Sequence, residues 1–495
     1  MESEIVVTMP SSLLAIVTGR LDRLGHLAWP HGPHRPWPAI WIAAWLAILP
    51  RGSAADVPAD RVEFNYYGRI GIGWTESGQV AAGKYMNLGT RQAIGGRLEE
   101  GDYLVPGMRY HIRKPQNDHD ISLDLVTDIE ILTLNGSIVS DLSNGDLGDI
   151  KVLPSQAYIE AKNVLLPELT LWIGANLYRK DFIHMCDYFY FNNLPGQGVG
   201  AYYRGLDVAV LTHTGPSPFF VTNLNAGQPP PAAPALVQRE RTALIAQYAL
   251  PFGPGTTYVQ GLGELHVVPR ARDIERGAAP GVKPRDWGAV GGAKLHLDLG
   301  GGAFSDASAR IGNRIANGAD SGASTYNTFG QPGTDGTYRG AYGVELVEHF
   351  QWNIGHVAAV TGYGTLHYTR GSTSYAPATS DVAASGALPN RRFDYSFGAR
   401  STIYLSDELN FLTEATYQLR RDDDQTAGRA VRLSVAPTLV PTSERAPWAA
   451  VEIRLIYTTA FYNQAAVDQR MSPYLQTMGP TKVAHFVGVR SEWLF

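Results

Sequence analysis

Side chains along the stretch VEFNYYGRIGIGW alternate strictly. Val62, Phe64, Tyr66, Ile70, Ile72 and Trp74 fall on one face, and Glu63, Asn65, Tyr67, Arg69, Gly71 and Gly73 on the other. A period of two is the signature of a strand whose two faces meet different surroundings. The pattern returns in WAAVEIRLIYTTAFY, with Val451, Ile453, Leu455, Tyr457 and Phe461 opposite Trp448, Glu452, Arg454, Thr458 and Tyr462. In LNFLTEATYQLRR, Asn410, Glu414, Gln418 and Arg420 share the polar side. Soluble sandwiches alternate too, so alternation alone does not name the solvent.

The last stretch, HFVGVRSEWLF, narrows the choice. Val487, Val489, Trp493 and Phe495 lie on one face, and Phe486, Arg490, Glu492 and Leu494 on the other. An alternating strand that closes on an aromatic residue suits an outer-membrane barrel, where the last strand pairs with the first and no edge is left in lipid. At roughly two dozen residues per strand and connection, the chain from Val62 onward accommodates about 18 membrane-length strands. The expectation is an all-β fold: a transmembrane, antiparallel, up-and-down β-barrel.

Composition agrees. There are 53 Gly, 25 Tyr and 10 Trp, 18% charged residues and a net charge of −5. No apolar run is long enough for a membrane-spanning helix, and the negative charge argues against nucleic acid as a partner. The single cysteine, Cys186, excludes an internal disulfide and a cysteine-based zinc site. Near the start, AIWIAAWLAILP (Ala39–Pro50) follows Arg20, Arg23 and Arg35 and precedes GSAAD. That is the order of a secretory leader, so residues 1–55 read as a signal peptide with an extended n-region, cleaved after Ala55. Residues 56–495 read as the barrel domain of an exported protein of the Gram-negative outer membrane.

Connections alternate between short and long. The segments Asn225–Ala235, Glu275–Gly291 and Ile315–Gly336, rich in Gly, Pro and Ser, read as long surface loops. One connection differs. HMCDYFYF (His184–Phe191) crowds rings together, runs into NNLPGQGVG, and has Lys180, Asp181 and Asp187 interleaved. Two readings stay open. Folded inward, such rings offer flat surfaces to the C–H faces of a sugar while the charged groups hydrogen-bond its hydroxyls. Alternatively, the rings only pin the loop to the barrel wall.

Three stretches, EFNYYGRIGIGWTESG, QAYIEAKNVLLPELTLWIGANLYRKDFIHMCDYFYFNNLPGQGVG and APWAAVEIR, resemble the maltoporin family of trimeric sugar porins. The resemblance implies an 18-stranded barrel with an inward-folded constriction loop, a homotrimer in outer-membrane lipid, and passive diffusion of maltose and maltodextrin-type oligosaccharides along an aromatic slide. It implies no cofactor. Carried over by residue, slide aromatics fall on Tyr67, Tyr103, Trp448 and Phe189, the last without the family's hydroxyl. Polar channel and constriction residues fall on Arg69, Arg97, Lys180 and Asp187.

Departures bear on substrate. Leu494 stands where the family has a slide aromatic, Ser155 replaces a channel arginine, and no tryptophan between Ile138 and Pro154 matches the one that reaches a neighbouring subunit. Weaker discrimination by chain length is the expectation. A pore for another sugar such as sucrose, a general porin and a plugged receptor or adhesin barrel are the alternatives. An enzyme is not expected: no GxSxG elbow occurs, and His184 with Asp187 is a common structural pairing.

Overall fold

The computed structural model describes residues 61–75, 86–89, 95–133, 150–215, 239–253, 255–273, 281–318, 325–372 and 389–495. The leader read at residues 1–55 and the loop Asn225–Ala235 lie outside them.

Strands dominate. In chain order the barrel comprises β1 (Val62–Thr75), β2 (Tyr103–Arg113), β3 (Ser122–Thr133), β4 (Ile150–Lys162), β5 (Thr170–Asn176), β6 (Gly196–Tyr203), β7 (Leu206–Gly215), β8 (Arg239–Pro251) and β9 (Tyr258–Val268). It continues with β10 (Asp286–Gly300), β11 (Ala303–Asn313), β12 (Tyr342–Ile354), β13 (Ala358–Arg370), β14 (Arg391–Tyr404), β15 (Leu409–Asp422), β16 (Gly428–Leu439), β17 (Val451–Tyr462) and β18 (Val483–Leu494). These form one 18-stranded sheet in which each strand pairs antiparallel with the next. The sheet closes on itself. β18 pairs with β1 in the register Tyr67↔Leu494 to Thr75↔Phe486, and the amide groups of Tyr66 and Phe495 exchange two backbone bonds of 3.0 Å.

The alternation fixes what points where. Phe64, Ile72, Trp74, Ile173, Leu244, Ile311, Trp352, Phe397 and Leu455 stand exposed on the outer surface. Arg69, Glu264, Lys294, Arg400, Glu414, Arg432, Arg454 and Arg490 are buried on the inner one. Apolar outside and charged inside is the arrangement a bilayer dictates for a closed sheet, since all backbone donors are satisfied and only the lumen is wet.

At the end of the barrel holding both strand termini of the seam, connections are mostly tight: residues 204–205 join β6 to β7, and 301–302 join β10 to β11. One connection there is longer, residues 440–450 between β16 and β17. It carries Trp448, which therefore precedes its strand instead of sitting on it as the alternation suggests. The expected loop Glu275–Gly291 is also shorter than its composition implies. β10 begins at Asp286, and Ala271–Asp273 pairs with Gly281–Lys283 in a small hairpin.

Three long connections have described parts that turn into the barrel. Residues 177–195 carry a hairpin of Phe182–Ile183 against Tyr188–Phe189. Residues 86–89 and 95–102 run across the inner faces of β13, β15 and β16, with Leu88 N–H donating to Gln418 (2.7 Å) and Gly95 N–H to the Tyr363 hydroxyl (2.9 Å). This segment packs on two short helices, α1 (Gln464–Asp468) and α2 (Pro473–Met478), through Met86, Leu88, Leu98, Val467 and Leu475. Residues 325–341 are held by Arg241, which donates to the carbonyls of Ile315 (2.8 Å), Thr325 (2.6 Å) and Tyr326 (2.6 Å).

Candidate functional site

The inward hairpin divides the rings of HMCDYFYF between its two sides. Tyr178, Asp181 and Asp187 take positive φ (37°, 50° and 53°), which non-glycine residues rarely adopt and which turns the chain sharply at each. The turns break the alternation. Tyr188, Tyr190, Phe191, Ile183 and Met185 are thereby driven against the wall, where Ala209, Leu211, Ala243, Ile245, Leu262 and Val347 receive them. The Tyr188 hydroxyl bonds to Glu345, and that of Tyr190 donates to Asp306 (3.1 Å). Lys294 anchors Asp181 (2.5 Å).

The other side of the hairpin is open to the lumen. Phe182 keeps 43% of its surface exposed. Its ring stacks on Phe189 with centroids 5.3 Å apart and meets His184 edge-on at 5.8 Å. His184 in turn meets Trp448 at 4.1 Å. Phe189, Phe182, His184 and Trp448 thus form a row of four rings. A guanidinium stands at each end, Arg179 at 4.6 Å from the Phe189 centroid and Arg400 at 4.9 Å from that of Trp448.

Beside the row lies a dense polar cluster. Tyr67, facing inward from β1, donates to Glu492 (2.7 Å) and accepts from Arg69 and Arg97 (3.2 Å each). Arg97 also pairs with Glu492, lies 3.0 Å from the His184 ring nitrogen and 4.0 Å from Asp187. Arg69 pairs with Glu100 (2.8 Å) and lies over the Tyr103 ring (5.0 Å), which is itself 5.9 Å from the Tyr67 ring. Burial, with Arg97 and Arg400 nearby, holds His184 well below the usual histidine range, so its ring is neutral.

Six of the eight residues singled out from sequence, Tyr67, Arg69, Arg97, Tyr103, Asp187 and Trp448, therefore meet around His184 and Glu492. Phe189 joins them through Phe182. Lys180 does not. It is half-exposed on the hairpin and pairs with Asp207 of β7 (2.6 Å). Arg97 arrives on the inward segment, not on a strand. Sequence reasoning missed Phe182, Arg179 and Arg400, and counted His184 among the rings of the loop without assigning it a site role.

Behind the cluster the inward segment is clamped to the wall. Arg432 of β16 sits between Glu99 and Glu414 (Nη1 to Glu414, 2.5 Å), and Glu414 also accepts two bonds from Arg400 (2.9 and 2.6 Å). On the facing wall, β1 to β5, Glu63 and Lys162 keep exposed side chains and Arg109 a partly buried one. Among the described residues, no three His, Cys, Asp or Glu side chains cluster to hold a metal ion.

The family model described as LamB porin matches residues 62–494. Among solved structures, the chain is similar to OccK2 (OpdF) of Pseudomonas aeruginosa, at 10% identity and a TM-score of 0.44 over 88% of this chain and 98% of that one. It is also similar to the outer membrane channel DcaP of Acinetobacter baumannii, at 10% identity and a TM-score of 0.37 over 88% and 99%.

Proposed function

The chain belongs to the LamB porin family, an outer-membrane channel by membership, and from that premise we propose that it conducts maltose and maltodextrin-type oligosaccharides passively through its lumen. The observation that carries this reading is the ring row Phe189–Phe182–His184–Trp448 lying beside Tyr67, Arg69, Arg97 and Glu492. A hexose has an apolar C–H face and an equator of hydroxyls. Flat rings match the face, and charged groups alongside give hydroxyls stronger bonds than neutral partners would. Each contact is worth little alone, which suits a conduit, because a tight site would stall release.

The cluster is also internally paired, so a sugar exchanges partners with ready-made ion pairs instead of entering an uncompensated field. That keeps the lumen selective for neutral polyols. A homotrimer, by family resemblance, and an N-terminal leader removed on export, by the order of basic residues, apolar run and small residues before Asp56, complete the proposal.

The test is single-channel conductance of the purified protein in a planar bilayer, titrated with maltotriose and then sucrose. Saturable closure of the ion current supports the reading, and Tyr67→Ala and Trp448→Ala then weaken it. Current that no sugar blocks makes the protein a general porin. An absence of current makes it a plugged barrel.

A further inference from the structure

We propose that the constriction prefers glycosides bearing an apolar, aryl-type aglycone, and that Phe182 confers the preference; this rests on the sugar-channel reading above. Three observations converge on it. The hairpin's pinning is accomplished by Tyr188, Tyr190 and Phe191, which are 2%, 1% and 0% exposed, so the 43% exposure of Phe182 is not needed for anchoring. Phe189 has Arg179 over its ring and Phe182 stacked on it, which leaves Phe182 as the aromatic surface offered to the lumen. Arg179 itself is drawn toward Glu130 (3.6 Å), so its charge is compensated and does not call for an anionic ligand.

Two unlike surfaces therefore adjoin at His184. On one side Arg97, Tyr67 and Glu492 crowd donors and acceptors within 3.0 Å of its ring nitrogen or one bond beyond. On the other, the Phe182–Phe189 pair presents carbon only. Both lie within the span of a single glycoside. A sugar unit placed over the phenylalanines gains contact only through its C–H face and strips water from its hydroxyls without finding them a polar partner there. An aryl group there loses nothing of that kind, buries apolar area and stacks against a ring. The preferred cargo is then amphiphilic: a hydroxylated ring for the polar cluster and a flat apolar group for the pair.

The experiment compares maltose with phenyl maltoside as blockers of the full-length protein in planar bilayers. Phenyl maltoside should close the channel at about five- to tenfold lower concentration than maltose. Phe182→Ala should bring the two blockers together by weakening block by phenyl maltoside several-fold more than block by maltose, and Phe182→Tyr, which keeps the ring, should retain most of the gap. Equal blocking by the two compounds in the unaltered protein overturns the inference and leaves the sugar channel standing, as does a gap that persists in Phe182→Ala. Failure of both compounds to block removes the sugar-channel reading itself, and the inference with it.

Discussion

Arg432→Met isolates what holds the segment 95–102 in the lumen. Arg432 and Glu99 are both fully buried and paired, and among the described residues Glu99 has as its other partner the Met86 amide (3.2 Å). Removing one member of a buried pair costs about 3–5 kcal/mol, because the survivor is left charged and dry. Glu414 keeps Arg400, so the loss concentrates on Glu99 and the lower figure, about 3 kcal/mol, applies. At 1.4 kcal/mol per decade, the docking equilibrium of the segment shifts by about a hundredfold. The barrel itself keeps its ladder, so the effect is local. Trypsin reads it directly: Arg97 is buried when the segment is docked and becomes a cleavage site when it releases. Faster cleavage after Arg97 in the folded barrel, together with a larger and noisier single-channel conductance, is expected. A double change, Arg432→Met with Glu99→Leu, should restore protection, since an apolar pair of similar volume replaces the ionic one at little cost. Cleavage and conductance at unaltered values in Arg432→Met would refute the clamp.

Further outcomes follow from the same geometry. Trp448→Ala removes the ring at the short-turn end of the row and should weaken sugar block about three- to tenfold in bilayer titrations, with folding unchanged by heat-modified gel mobility. Arg241→Leu removes its bonds of 2.6 to 2.8 Å to three carbonyls, of which that of Ile315 keeps the Thr328 hydroxyl, and hydrogen exchange over residues 325–341 should accelerate by at least about tenfold. His184 is depressed by burial and neighbouring arginines, so it is uncharged on folding above its ordinary value of 6.5, and any stability it contributes is lost only as pH falls below that value. Sugar block should therefore be flat from about pH 8 down to 6.5, and a step within that window would count against a neutral ring. Apparent affinity should rise only shallowly from disaccharide to hexasaccharide, given the aliphatic, exposed Leu494 in place of a slide ring; a steep rise would sink that expectation.

The strands were legible because alternation and burial have one cause. Wherever the chain spans, the outer residue meets lipid and the inner one water or a partner, as with Ile453 and Glu452. The inner surface was legible only residue by residue. Glu492 could be placed inward by parity, yet nothing in sequence links it to Arg97, on a segment that parity does not govern. Phe182 escaped for the same reason: positive φ at Asp181 and Asp187 resets which side each neighbour faces. Trp448 shared the parity of β17 while standing outside it. One signal went unread. In DVAVLTH and TALIAQYAL both faces are apolar, through Ala209, Leu211, Ala243 and Ile245 on the inside. A wall apolar on both sides needs an inner cover, and the ring-rich hairpin is that cover.

The seam between β1 and β18 has a consequence for biogenesis. Tyr66 and Phe495 are joined by reciprocal backbone bonds, yet they come from opposite extremes of the barrel sequence. Every other ladder can zip from a hairpin, whereas this one must wait until the remaining strands are in place, since its loop-closure entropy is the largest in the molecule. Until then β1 and β18 are both raw edges, ready to pair with any other strand. The slow and vulnerable step in making this protein is thus the joining of its two outermost strands, and escort by an assembly factor matters most in the interval before they meet.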